Sequence, residues 1–273
     1  MSGLENIADK EYLGRIIIVG RASNGDDVVV YAVTGRSEPS RARELIANNE
    51  LEVGAMRTNP TDPKALEEGI EPLLIYNFLR RYNENLIVSN GAQTDLIFET
   101  MQNLRARGRE INPVGFLVEA FRKPVLVKGN KKVPLINLTS YEPDTPNWTP
   151  RISAVLTRDG AAMSIVRWCE GVPIKSFFEI PLFNGKGKVL STYTGKNVPK
   201  GDVLPSFRGE PFDVAIVGET PEQVARAVYE ALGPKSGEGI LEPGKDFRVG
   251  VAALFYQRRP YPKIETYIAK REK

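Results

Sequence analysis

The 273 residues include no histidine and a single cysteine, Cys169. Without histidine the chain lacks the side chain that titrates nearest neutrality, the commonest general base and metal ligand. Ser-His-Asp and Cys-His mechanisms are thereby excluded. One cysteine closes no internal disulfide and builds no multi-cysteine metal site; inside an expected strand, Cys169 reads as an inert buried thiol. No apolar run approaches the length that spans a bilayer, so no membrane partner is expected. The start, MSGLENIADKEY, lacks the basic-then-apolar pattern of a signal peptide, and we expect a cytoplasmic protein. There is no glycine-rich phosphate loop followed by Lys-Ser or Lys-Thr. Charge of one sign is missing too: 37 Lys and Arg face 34 Asp and Glu, a net +3 that implies no nucleic-acid partner.

What is present is an ordinary globular composition, 41% hydrophobic and 26% charged. The most informative stretch runs from Tyr12 to Arg41. Ile16 to Val19 and Val28 to Val33 form two β-branched runs around Asn24-Gly25, a strong hairpin signal. If that hairpin is buried on both faces, its arginines (Arg15, Arg21, Arg36, Arg41) stand only at or near its ends. Arginine grips phosphate or carboxylate through paired hydrogen bonds, so an anion site at a sheet rim is expected.

Loop-formers dominate from Arg36 to Gly69, and Pro72–Arg80 is apolar around Tyr76 and Asn77. A short strand, Asn85–Val88, runs into Ser89-Asn90-Gly91 and then a helix with Leu96, Ile97, Met101 and Leu104 at helical spacing. Pro113–Phe121 predicts a second helix and Pro124–Leu138 a hairpin. The second half predicts strands at Arg151–Leu156, Ala161–Trp168, Ser176–Phe183, Lys188–Thr194, Phe212–Val217 and Phe247–Gln257. Between the last two, Thr220-Pro221-Glu222-Gln223 opens a helix ending near Leu232. The tail KIETYIAKREK reads as a solvated polar face. Hairpins without regular strand-helix alternation point to α+β, mainly antiparallel sheets layered between helices. With no repeat and no linker, one domain over 1–273 is expected.

Three polar clusters stand out. The first is Arg21, Ser23 and Asn24 with Arg36, Ser37 and Arg41; taken alone, a turn with solvated arginines is the plainer reading, because surface arginine is the norm. The second, Asn90, Gly91, Gln93, Thr94 and Asp95, lies between a strand and a helix. Helix starts attract anions, but a cap and a turn account for the same residues. The third is Tyr141-Glu142 ahead of Trp148-Thr149-Pro150-Arg151, either a functional carboxylate or a loop ion pair. Tyr76 alone fits a core.

In order, the blocks YLGRIIIVGRASNG, GRSEPSR, IYN, VSNGAQTD and YEPDTPNWTPRI resemble the stand-alone, archaeal-type IMP cyclohydrolases. The resemblance implies a four-layer αββα sandwich of the N-terminal-nucleophile-hydrolase type, adopted by a chain that begins at Met1 and so without that class's nucleophile. It implies closure of the purine ring: the carboxamide nitrogen of a formylated ribotide attacks its own formyl carbon and water leaves. No cofactor and no metal are implied; a purine ribotide partner and a homo-oligomer are. Carried over by motif, the catalytic residues are Arg41, Tyr76 and Glu142. Tyr76 would donate to the formyl oxygen or leaving water, Glu142 would orient the amide or accept its proton, and Arg41 would hold the oxyanion or carboxamide. Arg21, Ser23, Asn24, Arg36, Ser37, Asn90, Gly91, Thr94, Asp95 and Arg151 would bind phosphate, ribose and base. The family pattern has histidine before Thr-Asp, where this chain has Gln93. The alternatives are a non-catalytic purine-nucleotide-binding protein on the same fold, an amide hydrolase of this architecture, and an RNA binder using the basic tail.

Overall fold

The computed structural model describes residues 3–64 and 70–271. Its organising pair is β1 (Arg15–Arg21) and β2 (Asp27–Thr34), antiparallel, with Arg21 opposite Asp27 at the turn. The density of Val and Ile follows from burial on both sides. Ile17, Val19, Val29, Tyr31 and Val33 face one core, and Ile16, Ile18, Val28, Val30 and Ala32 face another. Gly25, with φ of 92°, turns the chain between them.

Around this pair a six-stranded sheet forms in the order β13-β12-β1-β2-β14-β15, adding β12 (Lys186–Ser191), β13 (Phe212–Ala215), β14 (Arg248–Gln257) and β15 (Lys263–Lys270). A seven-stranded sheet runs β11-β10-β9-β6-β5-β4-β3. Its members are β3 (Arg43–Ala47), β4 (Met56–Pro60), β5 (Asn77–Tyr82), β6 (Asn85–Ser89), β9 (Arg151–Thr157), β10 (Gly160–Cys169) and β11 (Val172–Ile180). A separate hairpin pairs β7 (Leu126–Lys128) with β8 (Leu135–Asn137). The strand pairings are antiparallel and the chain is α+β.

The sheets pack through Ile17, Val29 and Tyr31 against Phe78, Val88, Ile152 and Met163. The far side of the seven-stranded sheet is covered by α1 (Gln93–Ala106) and α2 (Pro113–Ala120), which set Ile97, Met101, Phe116 and Leu117 on Ile87, Val155 and Val166. The far side of the other sheet carries α3 (Pro221–Ala231), through Val224, Ala225 and Val228. Among the described residues, no helix is long and apolar enough to cross a membrane.

The start of α3 follows from four residues. Thr220 accepts a hydrogen bond from Gln223 N at 3.2 Å, Pro221 needs no donor, and the Gln223 side chain accepts from Glu219 N at 2.8 Å. Thr220→Ala is expected to cost about 1 kcal/mol, read as a lowered midpoint in thermal unfolding; an unchanged midpoint would remove the cap from the account.

Four expectations need correction. The stretch after Arg41 holds two strands, β3 and β4, rather than loops alone. Both are short, and in β3 every second residue (Arg43, Leu45) is buried, a pattern masked by neighbouring Asn and Pro. The C-terminal tail is largely exposed, as expected of a solvated face, but Lys263–Lys270 pair as the edge strand β15, which the sequence reading did not assign. Phe183 lies beyond the strand that the sequence placed at Ser176–Phe183, which is β11 and starts earlier, at Val172. Cys169, at the open end of β10, is exposed rather than buried.

Candidate active site

A seven-residue strand sets its ends roughly 20 Å apart, so Arg15 and Arg21 belong to different neighbourhoods. At the turn end, Arg21 pairs with buried Asp27 at 3.1 Å, and Arg258 holds the other Asp27 oxygen at 2.5 Å. Ser23 is exposed, and Asn24 is spent on Asp26 at 3.0 Å. A cavity of about 410 Å³ opens there between Arg21, Asn24, Arg158 and Arg259. The sequence-based grouping of Arg21, Ser23 and Asn24 with the other candidates is therefore corrected. The hairpin's own length separates them.

At the opposite end several polar side chains meet inside the protein. Arg15, 8% exposed, forms a short ion pair with Glu142, which is 2% exposed. Asn90 Nδ2 donates to the other Glu142 oxygen at 3.3 Å, and Arg151 Nη1 stands 3.9 Å from it. Arg151, 1% exposed, also donates to Gln93 Oε1 at 2.8 Å, while Gln93 Nε2 donates to Asn90 Oδ1 at 3.0 Å. Gly91 makes room for this: a Cβ there would lie 2.6 Å from Arg151 Nη1. At the position where the family pattern has histidine, Gln93 supplies one acceptor and one donor to the network.

Tyr76 is buried, with its hydroxyl 2.8 Å from that of Tyr31, whose ring stacks on Phe78 at 4.5 Å. Thr58 grips its backbone through Tyr76 N→Thr58 Oγ1 (2.9 Å) and Thr58 N→Tyr76 O (3.0 Å). Tyr76 and Glu142 both lie in the field of Arg15, together with Tyr31 and Tyr193. Burial opposes the charge on Arg15, but Glu142 and the phenols outweigh it and hold its pKa well above the usual value. Arg151 is shifted down by burial, with Glu142 opposing. Burial, then repulsion from Glu142, pushes the Asp144 carboxyl up to about 7 against two Thr149 hydrogen bonds and Arg15.

The loop holding these acids closes on itself. Glu142 N donates to Thr149 O at 2.8 Å, and Thr149 N donates to Asp144 Oδ1 at 2.7 Å. Asn147 ties it to the next segment by accepting from Leu204 N at 3.1 Å. Arg43, also buried, donates to Ser40 O and Leu74 O. Arg15 Nε, Arg43 Nη2 and Arg151 Nε and Nη2 are buried donors without a partner among the described residues. Such donors favour an anion, because an unpaired buried N–H carries its full desolvation cost.

The remaining candidates fall elsewhere. Arg36, half-buried, donates to Asn197 and Val198 O and lies 5.5 Å from the Tyr12 ring, beside the cluster. Ser37 is an exposed cap on the one-turn helix Glu38–Arg41. Arg41 is exposed and two residues before buried Arg43, with no side-chain partner among the described residues. Thr94 bonds Gly91 O at 2.9 Å, and Asp95 faces outward to Arg80 at 2.5 Å and to Asn77. The structure thus joins Asn90, Gly91, Glu142 and Arg151, sets Tyr76 beside Tyr31 within reach of the Arg15 charge, and leaves Arg41, Asp95, Ser37, Arg21, Ser23 and Asn24 outside. Sequence reasoning missed Tyr31, Arg43, Asp144, Thr149 and Tyr193. The one available signal was Asp144 and Thr149 inside YEPDTPNWTPRI.

A family model described as IMP cyclohydrolase-like protein matches residues 12–109 and 132–236. The chain belongs to this family. Every residue of the buried cluster, from Arg15 to Tyr193, falls within the matched segments, and β14 and β15 lie outside them. Similar proteins named IMP cyclohydrolase occur in methanogens. The one from Methanococcus maripaludis is 27% identical over 220 residues, 80% of this chain and 88% of that protein. The one from Methanocaldococcus jannaschii is 25% identical over 215 residues, 78% and 84% of the two chains. A third, from Methanocella arvoryzae, is 24% identical over 243 residues, 88% and 97%.

Proposed function

We propose that this chain is an IMP cyclohydrolase, closing 5-formamidoimidazole-4-carboxamide ribotide to inosine monophosphate and water. The observation that carries the proposal is the buried Arg15–Glu142 ion pair, with the buried Tyr76 phenol close enough to act on the Arg15 charge, in a chain of this family. Nucleophile and electrophile sit on one substrate, so much of the barrier is conformational and is lowered by holding the two ends together. The chemistry then needs a donor for the formyl oxygen and a group for the amide proton, and no metal or redox cofactor takes part. Tyr76 is the donor, its phenol set by the bond to Tyr31. Glu142 orients the carboxamide. Arg41, exposed and without a side-chain partner among the described residues, meets the incoming substrate, and the inward N–H groups of Arg43 and Arg151 receive its charged portions.

The packing of helices outside two facing sheets supports an αββα sandwich of the N-terminal-nucleophile-hydrolase type over one domain. The test is ultraviolet absorbance of the formylated ribotide mixed with the protein. Purine formation is expected; binding without cyclisation would favour a nucleotide-binding protein instead. Tyr76→Phe is expected to lower turnover by roughly 100-fold, the lower end of general acid contributions. Unchanged turnover would remove Tyr76 from the donor role.

A further inference from the structure

We propose that Asp144, Thr149 and Tyr193 form a proton relay that serves the oxygen leaving as water. The inference rests on the cyclisation proposed above.

Thr149 Oγ1 lies 2.5 Å from Asp144 Oδ2 and 2.6 Å from Tyr193 Oη. Thr149 and Tyr193 are buried and Asp144 is half-buried. Thr149 has one hydroxyl proton, so the chain has a direction. When Asp144 is ionised, Tyr193 donates to Thr149 and Thr149 donates to Asp144. When Asp144 is neutral the order reverses, and the Tyr193 O–H is released toward a further acceptor. Tyr193 follows Thr192, which exchanges hydrogen bonds with the Arg15 backbone at 3.1 and 3.0 Å, and Tyr193, Tyr76 and Glu142 all act on the Arg15 charge, so the free end of the chain belongs to the Arg15 end of β1.

Glu142 is less suited to this task. It is bound by Arg15 and Asn90, so giving or taking a proton there breaks an ion pair. Among the described residues, the Asp144 carboxylate accepts hydrogen bonds from Thr149 alone, through Thr149 N at 2.7 Å and Oγ1 at 2.5 Å. The charged and titratable groups facing it are Glu142 on its own loop, Arg15 from β1, Arg151 from β9 and Tyr193 after β12. Burial and Glu142 place its pKa at about 7, so both protonation states are accessible near neutrality.

The step balances. The O–H bonds of Asp144, Thr149 and Tyr193 break as new ones form on Thr149, on Tyr193 and on the departing oxygen. Asp144 is left as carboxylate and is reprotonated by the proton released from nitrogen during ring closure.

The test is the pH dependence of kcat and KM for cyclisation from about pH 5.5 to 8.5, in the wild type, Asp144→Asn, Thr149→Val and Thr149→Ser. Asparagine preserves the hydrogen-bonded loop, because its amide donates to Thr149 Oγ1 and its oxygen accepts from Thr149 N. The neutral acid is the donor, so wild-type kcat is expected to fall as pH rises through about 7. Asp144→Asn and Thr149→Val are expected to lose roughly 100-fold in kcat, with little change in KM and no break in that range; Thr149→Ser is expected to restore both. An active wild type whose break persists in Asp144→Asn or Thr149→Val overturns the relay alone. A folded wild type that binds the ribotide without closing it overturns the cyclohydrolase proposal and the relay together.

Discussion

Glu142→Gln is expected to lower kcat for ring closure roughly a thousandfold, within the range of positioned acid-base groups. Glutamine keeps the shape of the side chain and an oxygen for Asn90 to bond, so the loop tied by Glu142 N and Thr149 O stays closed. What disappears is the negative charge between Arg15 and Arg151. The carboxamide then meets a donor where it needs an acceptor. The effect is expected in kcat rather than KM, because an interaction gained only in the transition state leaves ground-state binding alone. Single-turnover absorbance checks it; a variant within threefold of wild type would show that Glu142 is only a structural ion-pair partner.

Arg15→Met is expected to destabilise the fold by about 3–5 kcal/mol, because it strands a buried carboxylate without its cation. Methionine fills most of the volume, so a cavity contributes little. Arg15 is a site where charge, not packing, decides. Denaturant unfolding of Arg15→Met, Glu142→Gln and the double variant separates the contributions. If the pair is coupled, the double variant recovers much of the loss shown by Arg15→Met. Simple addition of the two single effects would mean that Glu142 is held by Asn90 and Arg151 without Arg15.

The elements legible in the sequence were those with strong local codes. The β1–β2 hairpin announced itself by two β-branched runs about Asn24-Gly25, α3 by Thr220-Pro221, and β7–β8 by Gly129-Asn130. Strands β3 and β15 were obscured because edge strands tolerate polar residues, and polarity is also the mark of a loop. The candidate site was half legible. Family-like blocks pointed to Glu142, Asn90 and Arg151, which meet, and to Tyr76, within reach of the Arg15 charge. The same blocks grouped Arg21 with them, although a strand's length divides them, and gave no role to Arg15, at the strand's other end.

The amino-acid sequence by itself determined the class of chemistry open to this protein: no histidine, no disulfide, and antiparallel sheets rich in Val and Ile. Only the tertiary structure decided which polar residues work together. Tyr31, Tyr76, Glu142 and Tyr193 come from distant segments yet all act on the buried Arg15 charge, and Asp144 reaches Tyr193 through Thr149. Proximity of that kind, and the charge shifts that burial produces, depend on distances through space that no local pattern encodes.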